Sequence, residues 1–244
     1  MKKIILITLG LVLAIGMLSS CGSGKEAKIR VATDATWPPF EYVDDATKEI
    51  VGFDIDLMNA IAEKEKLDVE FVNVSWDPLL AGMAQGTYDV AISSITITED
   101  RKKDMLFSNP YYGAGQIVVV QKSNTTITSK DNLTGKVGAQ LGTTGAMAVE
   151  RIAAATLVNY DDIGLAFQDL MNGQTNAVVC DNPVAMQYVV TNPDGLKIAG
   201  TAFTSEFYGI AVAKGKAELL GKINKGLEEV LNEGIIATLE KKWY

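Results

Sequence analysis

Arg101 closes the run Ser93-Ser94-Ile95-Thr96-Ile97-Thr98-Glu99-Asp100-Arg101, in which hydroxyls lead up to a single arginine. A guanidinium holds a carboxylate through two parallel charge-assisted hydrogen bonds, a geometry lysine cannot reproduce. With Glu99 and Asp100 adjacent, the same arginine also suits a solvated surface ion pair. Asp34 and Glu41 lie beside Trp37, and an aromatic face next to carboxyls is chemistry for a cation or for an aliphatic chain that carries one. Gly142-Thr143-Thr144-Gly145 precedes a helical stretch whose first N–H groups point at a nearby anion, but it lacks the lysine of a phosphate-binding loop. Asp181-Asn182-Pro183 would serve as a helix cap.

What is missing narrows the chemistry further. The 244 residues include no histidine, which excludes a Ser-His-Asp mechanism and histidine-ligated metal sites. No cofactor motif or cluster of metal ligands stands out, so no cofactor, no metal and no catalytic residue is expected. The formal charge of −8 makes nucleic acid a poor partner. Of the two cysteines, Cys21 and Cys180, the second is expected to be buried and unpaired.

The N-terminus carries its own signal. Lys2 and Lys3 form a positive head before an apolar stretch, Ile4 to Leu18, that is short and broken by glycine. Leu18-Ser19-Ser20-Cys21 matches the bacterial lipoprotein pattern, in which the cysteine is acylated. Residues 1–20 are therefore expected to be a signal peptide and 21–27 a lipidated tether. That would hold the rest outside the membrane through a lipid anchor only.

From Lys28 onward the elements that must position these side chains alternate. Strands are expected at Ile29–Ala32, Val69–Val74 and Val90–Ser93, with helices at Asp54–Lys66 and Asp77–Gln85. A second set follows, with strands near Gln116–Gln121, Lys136–Ala139 and Ala177–Cys180. Its helices fall near Thr144–Ala155, Ile163–Met171 and Pro183–Val190. A last strand, Gly209–Val212, and helices at Ala217–Asn232 and Ile235–Lys241 could return to the first unit. The βαβα order implies an α/β protein whose mainly parallel sheets are flanked by helices. Residues 28–110 with 209–244 are read as a discontinuous first lobe and 116–203 as the second. Residues 111–115 and 204–208 are read as hinge strands, with Gly113 and Gly115 able to absorb backbone rotation.

At this point several strings resemble one bacterial family. They are Asp34-Ala35-Thr36-Trp37-Pro38-Pro39-Phe40-Glu41-Tyr42, Gly52-Phe53-Asp54-Ile55-Asp56-Leu57, the Ser94-to-Arg101 run, Phe107-Ser108-Asn109-Pro110-Tyr111-Tyr112 and Lys241-Lys242-Trp243-Tyr244. In order and spacing they resemble the polar amino-acid-binding proteins of ABC transporters, family-3 solute-binding proteins with a two-lobed type II periplasmic-binding-protein-like fold. The resemblance implies that Arg101 takes the ligand carboxylate, that the Ser94 backbone and the Thr96 hydroxyl help bind the carboxylate and the ammonium, and that Ser93 belongs to the same ligand-binding set. It implies that Thr144 and Gly145 close from the second lobe, that Asp181 meets the α-ammonium, and that Trp37 and Trp76 flank the side chain. Leu141 stands where glutamine-binding members carry a lysine. With no cation to meet an acidic ligand, a cationic L-amino acid is expected, arginine ahead of lysine and ornithine, with Asp34 countering its distal charge and Glu41 a further candidate ligand residue that faces either ligand or solvent. Glutamine is the rival ligand. A prephenate or arogenate dehydratase on the same fold is the rival activity, and the expectation is that the chain is no enzyme. The implied partners are a small-molecule amino acid and an ABC permease, with the protein itself a monomer.

Overall fold

The computed structural model describes residues 28–244; the expected signal peptide, the expected tether and Cys21 lie outside them. Among the described residues no helix is long and apolar enough to cross a membrane. The chain begins with β1 (Ile29–Thr33), whose last three residues are buried. A small antiparallel sheet that the sequence reading did not anticipate follows: β2 (Thr36–Trp37), β3 (Glu41–Val43) and β4 (Ile50–Val51). Its register sets Trp37 opposite Glu41, so both are delivered by one rigid hairpin. Gly52 then turns the chain at φ 138°, and a Cβ there would lie 2.0 Å from the Phe40 carbonyl oxygen. Glycine is thus required for α1 (Phe53–Glu65) to start against that hairpin. Asp54 and Asp56 in its first turn suit the positive end of the helix dipole, and Leu57, Met58 and Ile61 face the core.

The first lobe continues with β5 (Val69–Asn73), α2 (Trp76–Gln85), β6 (Val90–Ala91), a 3-10 turn at Arg101–Lys103 and β7 (Met105–Phe107). The crossing strand β8 (Tyr112–Ala114) leads to β9 (Gln116–Gln121), β10 (Gly135–Gln140), α3 (Thr144–Glu150), β11 (Ala155–Tyr160) and α4 (Ile163–Met171). Next come β12 (Ala177–Asp181), α5 (Asn182–Thr191) and β13 (Leu196–Ala199). The chain returns through β14 (Glu206–Tyr208), paired antiparallel with β8, to β15 (Ala211–Ala213), α6 (Ala217–Asn232) and α7 (Ile235–Trp243).

The two five-stranded sheets have matching topologies. Their orders are β5-β1-β6-β15-β7 and β11-β10-β12-β9-β13. In each, three parallel strands place the first between the second and third, and an antiparallel strand arriving from a crossing pairs with the third. Each sheet therefore has a switch point at the carboxyl ends of its central strands, where ligands sit in open α/β sheets. Asp34 and Ser93 follow β1 and β6, whereas Leu141 and Asp181 stand at the ends of β10 and β12.

Strands β7 and β13, like the small sheet, had not been expected, and two expected segments differ in type or bounds. The helix expected at Thr144–Ala155 stops at Glu150, and Ala155–Tyr160 is instead a strand parallel to β10 from Gly135↔Ala155 to Gln140↔Tyr160. The alanines at 153–155 suggest continued helix, but Thr156, Leu157 and Val158 gain more from pairing with β10 than from another turn. The strand expected at Gly209–Val212 begins at Ala211, because the Gly209 N–H is donated to the Ile95 carbonyl.

An aromatic stack spans the crossing. Tyr112 on β8 lies parallel to Tyr208 on β14, with centroids 6.0 Å apart, and to Tyr244, with centroids 5.9 Å apart. Phe40 meets all three rings edge-on. These pairs add stabilisation of order 1 kcal/mol each beyond the area they bury.

Candidate functional site

The two switch points face each other across a cavity lined by Asp34, Trp37, Glu41, Trp76, Ser93, Ser94, Thr96, Arg101, Gln140, Thr143, Thr144 and Asp181. Most of the residues selected from the sequence come together here. Leu141 and Gly145 do not line it. Leu141 is 38% exposed and borders an outer cleft with Trp76 and Asp161, while a Cβ on Gly145 would meet Gln116 Oε1 and the Val179 carbonyl. Gln140 and Thr143 line the cavity without having been selected.

Arg101 turns inward while its neighbours stay at the surface. Glu99 pairs with Lys102 and Asp100 with Lys103, so neither acidic neighbour takes the guanidinium. Arg101 Nη1 donates to the Thr96 carbonyl at 2.8 Å, Nη2 reaches the Gly142 carbonyl of the other lobe at 3.2 Å, and the guanidinium lies 5.0 Å over the Trp76 ring. Burial lowers its pKa to about 10, against the opposing pull of Asp181 and Glu206, so it remains a cation at neutral pH. Two of its five N–H groups serve these carbonyls and the others can still take a carboxylate.

A second group of residues gathers around Asp34. Its backbone N–H donates to Ser93 Oγ, and its carboxylate accepts from Thr36 Oγ1 at 3.1 Å and from Gln140 Nε2, across the lobes, at 2.9 Å. Burial nonetheless pushes the Asp34 carboxyl up to about 6. Glu41 is fully buried and accepts from Ser93 and Ser94 hydroxyls at 3.2 and 3.4 Å. It also hydrogen-bonds Asp54, and burial with that neighbouring charge raises its pKa well above the usual value. Two adjacent buried carboxyls cannot both ionise cheaply, which raises the pair above the ordinary carboxylate range. Asp54 accepts in turn from Tyr111 Oη and from the Ser94 N–H, both at 2.8 Å. The Ser94 backbone, implied by the resemblance to meet the ligand, thus has its N–H engaged by Asp54. That bond holds Ser94 at φ 48°, an uncommon conformation for a residue with a side chain.

At the opposite end, Asp181 sits at the N-cap position of α5 but makes no side-chain cap bond, so its carboxylate is free of the helix-cap role. It accepts from Gln116 Nε2, and burial together with Glu206 pushes its carboxyl up to about 7. The same Gln116 nitrogen lies 3.0 Å from Thr144 Oγ1 and 3.3 Å from Glu206 Oε2. Glu206 also accepts from Thr96 Oγ1 at 3.0 Å and Thr144 Oγ1 at 2.7 Å. Gln116 and Glu206 belong to the crossing strands or their edges and had no motif to mark them. On α3, only two turns long, Thr143 Oγ1 caps the Ala146 N–H, so helix dipole contributes little to this end. Cys180 is buried and its thiol pKa raised well above normal, which keeps it an unreactive thiol.

The arrangement offers one buried cation beside a carboxylate at one end and two carboxyls beside Trp37 at the other. The family model of the bacterial extracellular solute-binding proteins, family 3, matches residues 29–244. A probable histidine-binding protein of Neisseria gonorrhoeae is 35% identical over 93% of this chain and 90% of its own. An ancestral arginine-binding protein bound to arginine superposes with a TM-score of 0.85 at 46% identity, covering 89% of this chain and 98% of that one. The ancestral arginine-binding protein bound to glutamine gives 0.84 at 47% identity, covering 89% and 97%.

Proposed function

From the premise that the chain belongs to the bacterial extracellular solute-binding proteins of family 3 and has their two-lobed type II fold, we propose that it captures a cationic L-amino acid, arginine ahead of lysine and ornithine, and delivers it to an ABC permease. The observation that carries this reading is the charge inventory of the cavity. Asp34, Glu41 and Asp181 line it against Arg101 alone, with Asp54 behind Glu41. A zwitterionic ligand pairs its carboxylate with Arg101 and its ammonium with Asp181, which leaves Asp34 and Glu41 facing the side chain. A guanidinium supplies both the charge and the N–H donors to meet them, between the faces of Trp37 and Trp76. Glutamate would add a fourth carboxylate to a site already acidic, and glutamine would satisfy hydrogen bonds without supplying charge.

The clamp follows from the contacts across the cavity. Residues 28–110 with 209–244 and residues 116–203 move as the two bodies, and 111–115 and 204–208 flex between them. Ligand docks on Arg101, Thr96 and the tryptophans of the first lobe; Thr144 and Asp181 arrive with the second. Contacts such as Gln140 to Asp34 and Arg101 to Gly142 form only when the lobes are together, so ligand that bridges them shifts the population to the closed form. The permease reads that closed form. The Leu18-Ser19-Ser20-Cys21 motif supports a lipid anchor that keeps the monomer beside it, and binding rather than catalysis accounts for each carboxyl in the cavity.

Calorimetric titration of purified residues 22–244 with arginine, lysine, ornithine, glutamine and glutamate tests the reading. Arginine binding tightest, with glutamate silent, is the expected result. Tight glutamate binding with none for arginine overturns it, and phenylpyruvate formed from prephenate above background would restore the dehydratase reading.

A further inference from the structure

Glu206 lies outside every motif recognised in the sequence, yet it joins both lobes and the crossing strands. Its Oε2 accepts from Thr96 of the first lobe and Thr144 of the second, and its Oε1 accepts from Thr204 at 2.6 Å. Each threonine has one hydroxyl proton, and a carboxylate can only accept. Both protons therefore go to Glu206, and Thr96 Oγ1 and Thr144 Oγ1 present only lone pairs to the cavity they line. Gln116 Nε2 has two hydrogens for three oxygens: Thr144 Oγ1, Asp181 Oδ1 and Glu206 Oε2. Apart from the Arg101 guanidinium, which is left to the ligand's carboxylate, this end of the cavity is thus richer in acceptors than in donors.

We infer that Glu206 is a specificity-determining positioning residue: by fixing the Thr96 and Thr144 hydroxyls as acceptors and placing a second negative charge beside Asp181, it makes the site select ligands that carry an α-ammonium. An ammonium brings three donors to a place where acceptors outnumber them. A ligand with the same side chain and carboxylate but no amine leaves those oxygens unpaired, and loses accordingly. The inference rests on the amino-acid-binding reading above but does not depend on which side chain is bound.

The test compares each amino acid with its deaminated counterpart by calorimetry: L-arginine with 5-guanidinopentanoate, and L-glutamine with glutaramate. In E206Q the amide offers N–H to the same threonine oxygens and the charge is gone. The amino acid bound by the wild type should weaken roughly 10- to 100-fold, as expected for loss of charge-assisted hydrogen bonding. Its deaminated analogue should change by less than about twofold. A role as a simple latch between lobes would weaken both ligands equally, and that result, or no change in either, overturns the inference. If E206Q fails to fold, the T96V/T144V double variant carries the same comparison, with the same discriminating loss expected. Failure of the wild type to bind either amino acid is a separate outcome that overturns the binding reading itself.

Discussion

Capture of arginine should expel protons, and the structure sets how many. With the lobes together, burial holds Asp34 at about 6 and Asp181 at about 7. At pH 6 the first carboxyl carries about half a proton and the second about nine-tenths. Pairing with a guanidinium and an ammonium returns both towards the ordinary carboxylate range or below it. From the closed unliganded form, binding then releases at most somewhat more than one proton at pH 6 and about a tenth of one at pH 8, before any contribution from Glu41; lobes that stand open before ligand arrives, with these carboxyls in water, release fewer. Affinity consequently falls as pH falls, by more than tenfold per unit near pH 6, and by about 1000-fold between pH 8 and pH 5 from these two groups. Titrations at pH 6 in buffers of different ionisation enthalpy give the proton count directly, as the slope of observed heat against buffer heat. A slope of zero at pH 6 would falsify the reasoning, because the carboxyls would then be ionised before ligand arrives.

Other consequences can be checked more simply. Asp34→Asn should cost arginine roughly 3 kcal/mol, about 100-fold in dissociation constant, while glutamine binding stays within a few-fold; equal losses would remove Asp34 from the side-chain end. Because Asp34 and Asp181 have raised folded pKa values, their contribution to the unliganded fold is complete below about pH 4 and is lost as pH rises through about 6 and about 7. For Asp34 alone that is roughly 3 kcal/mol, so denaturant midpoints should be higher at pH 5 than at pH 8, and Asp34→Asn should narrow the gap. Gly115→Ala places a Cβ 2.2 Å from the Thr204 carbonyl oxygen, where two backbone segments cross, and should lower stability by about 2–3 kcal/mol in urea unfolding. Cys180 should stay unlabelled by a thiol reagent in the native protein and react fully once unfolded.

Legibility in the sequence followed distance along the chain. Trp37 and Glu41, or Ser94, Thr96 and Arg101, announce themselves because each set falls within one short string of recognisable residue types, although the hairpin that pairs Trp37 with Glu41 was not foreseen. Gln140 meets Asp34 across 106 residues, Glu206 meets Thr96 across 110, and Gln116 meets Asp181 across 65, so no local pattern marks them. A glutamine on a buried β-strand carries no signal of its own until the strand order is known. The parallel cores were readable from alternating apolar runs, whereas β11 was hidden behind three alanines that favour helix. Leu141 and Gly145, taken from the family pattern, stand beside the cavity and not on its wall: Leu141 borders the outer cleft and Gly145 packs against Gln116 and Val179.

The stack of Tyr244, Tyr112 and Tyr208 makes the crossing strands a fulcrum with a handle attached. A reporter joined after Tyr244 would ride close to the pivot and scarcely travel, whereas one on α5 at Met186, which is 48% exposed on the far lobe, would sweep a longer arc. A dye pair at those two places would convert lobe rotation into a change of separation without touching any cavity residue. The fold thus offers a ready-made amino-acid gauge.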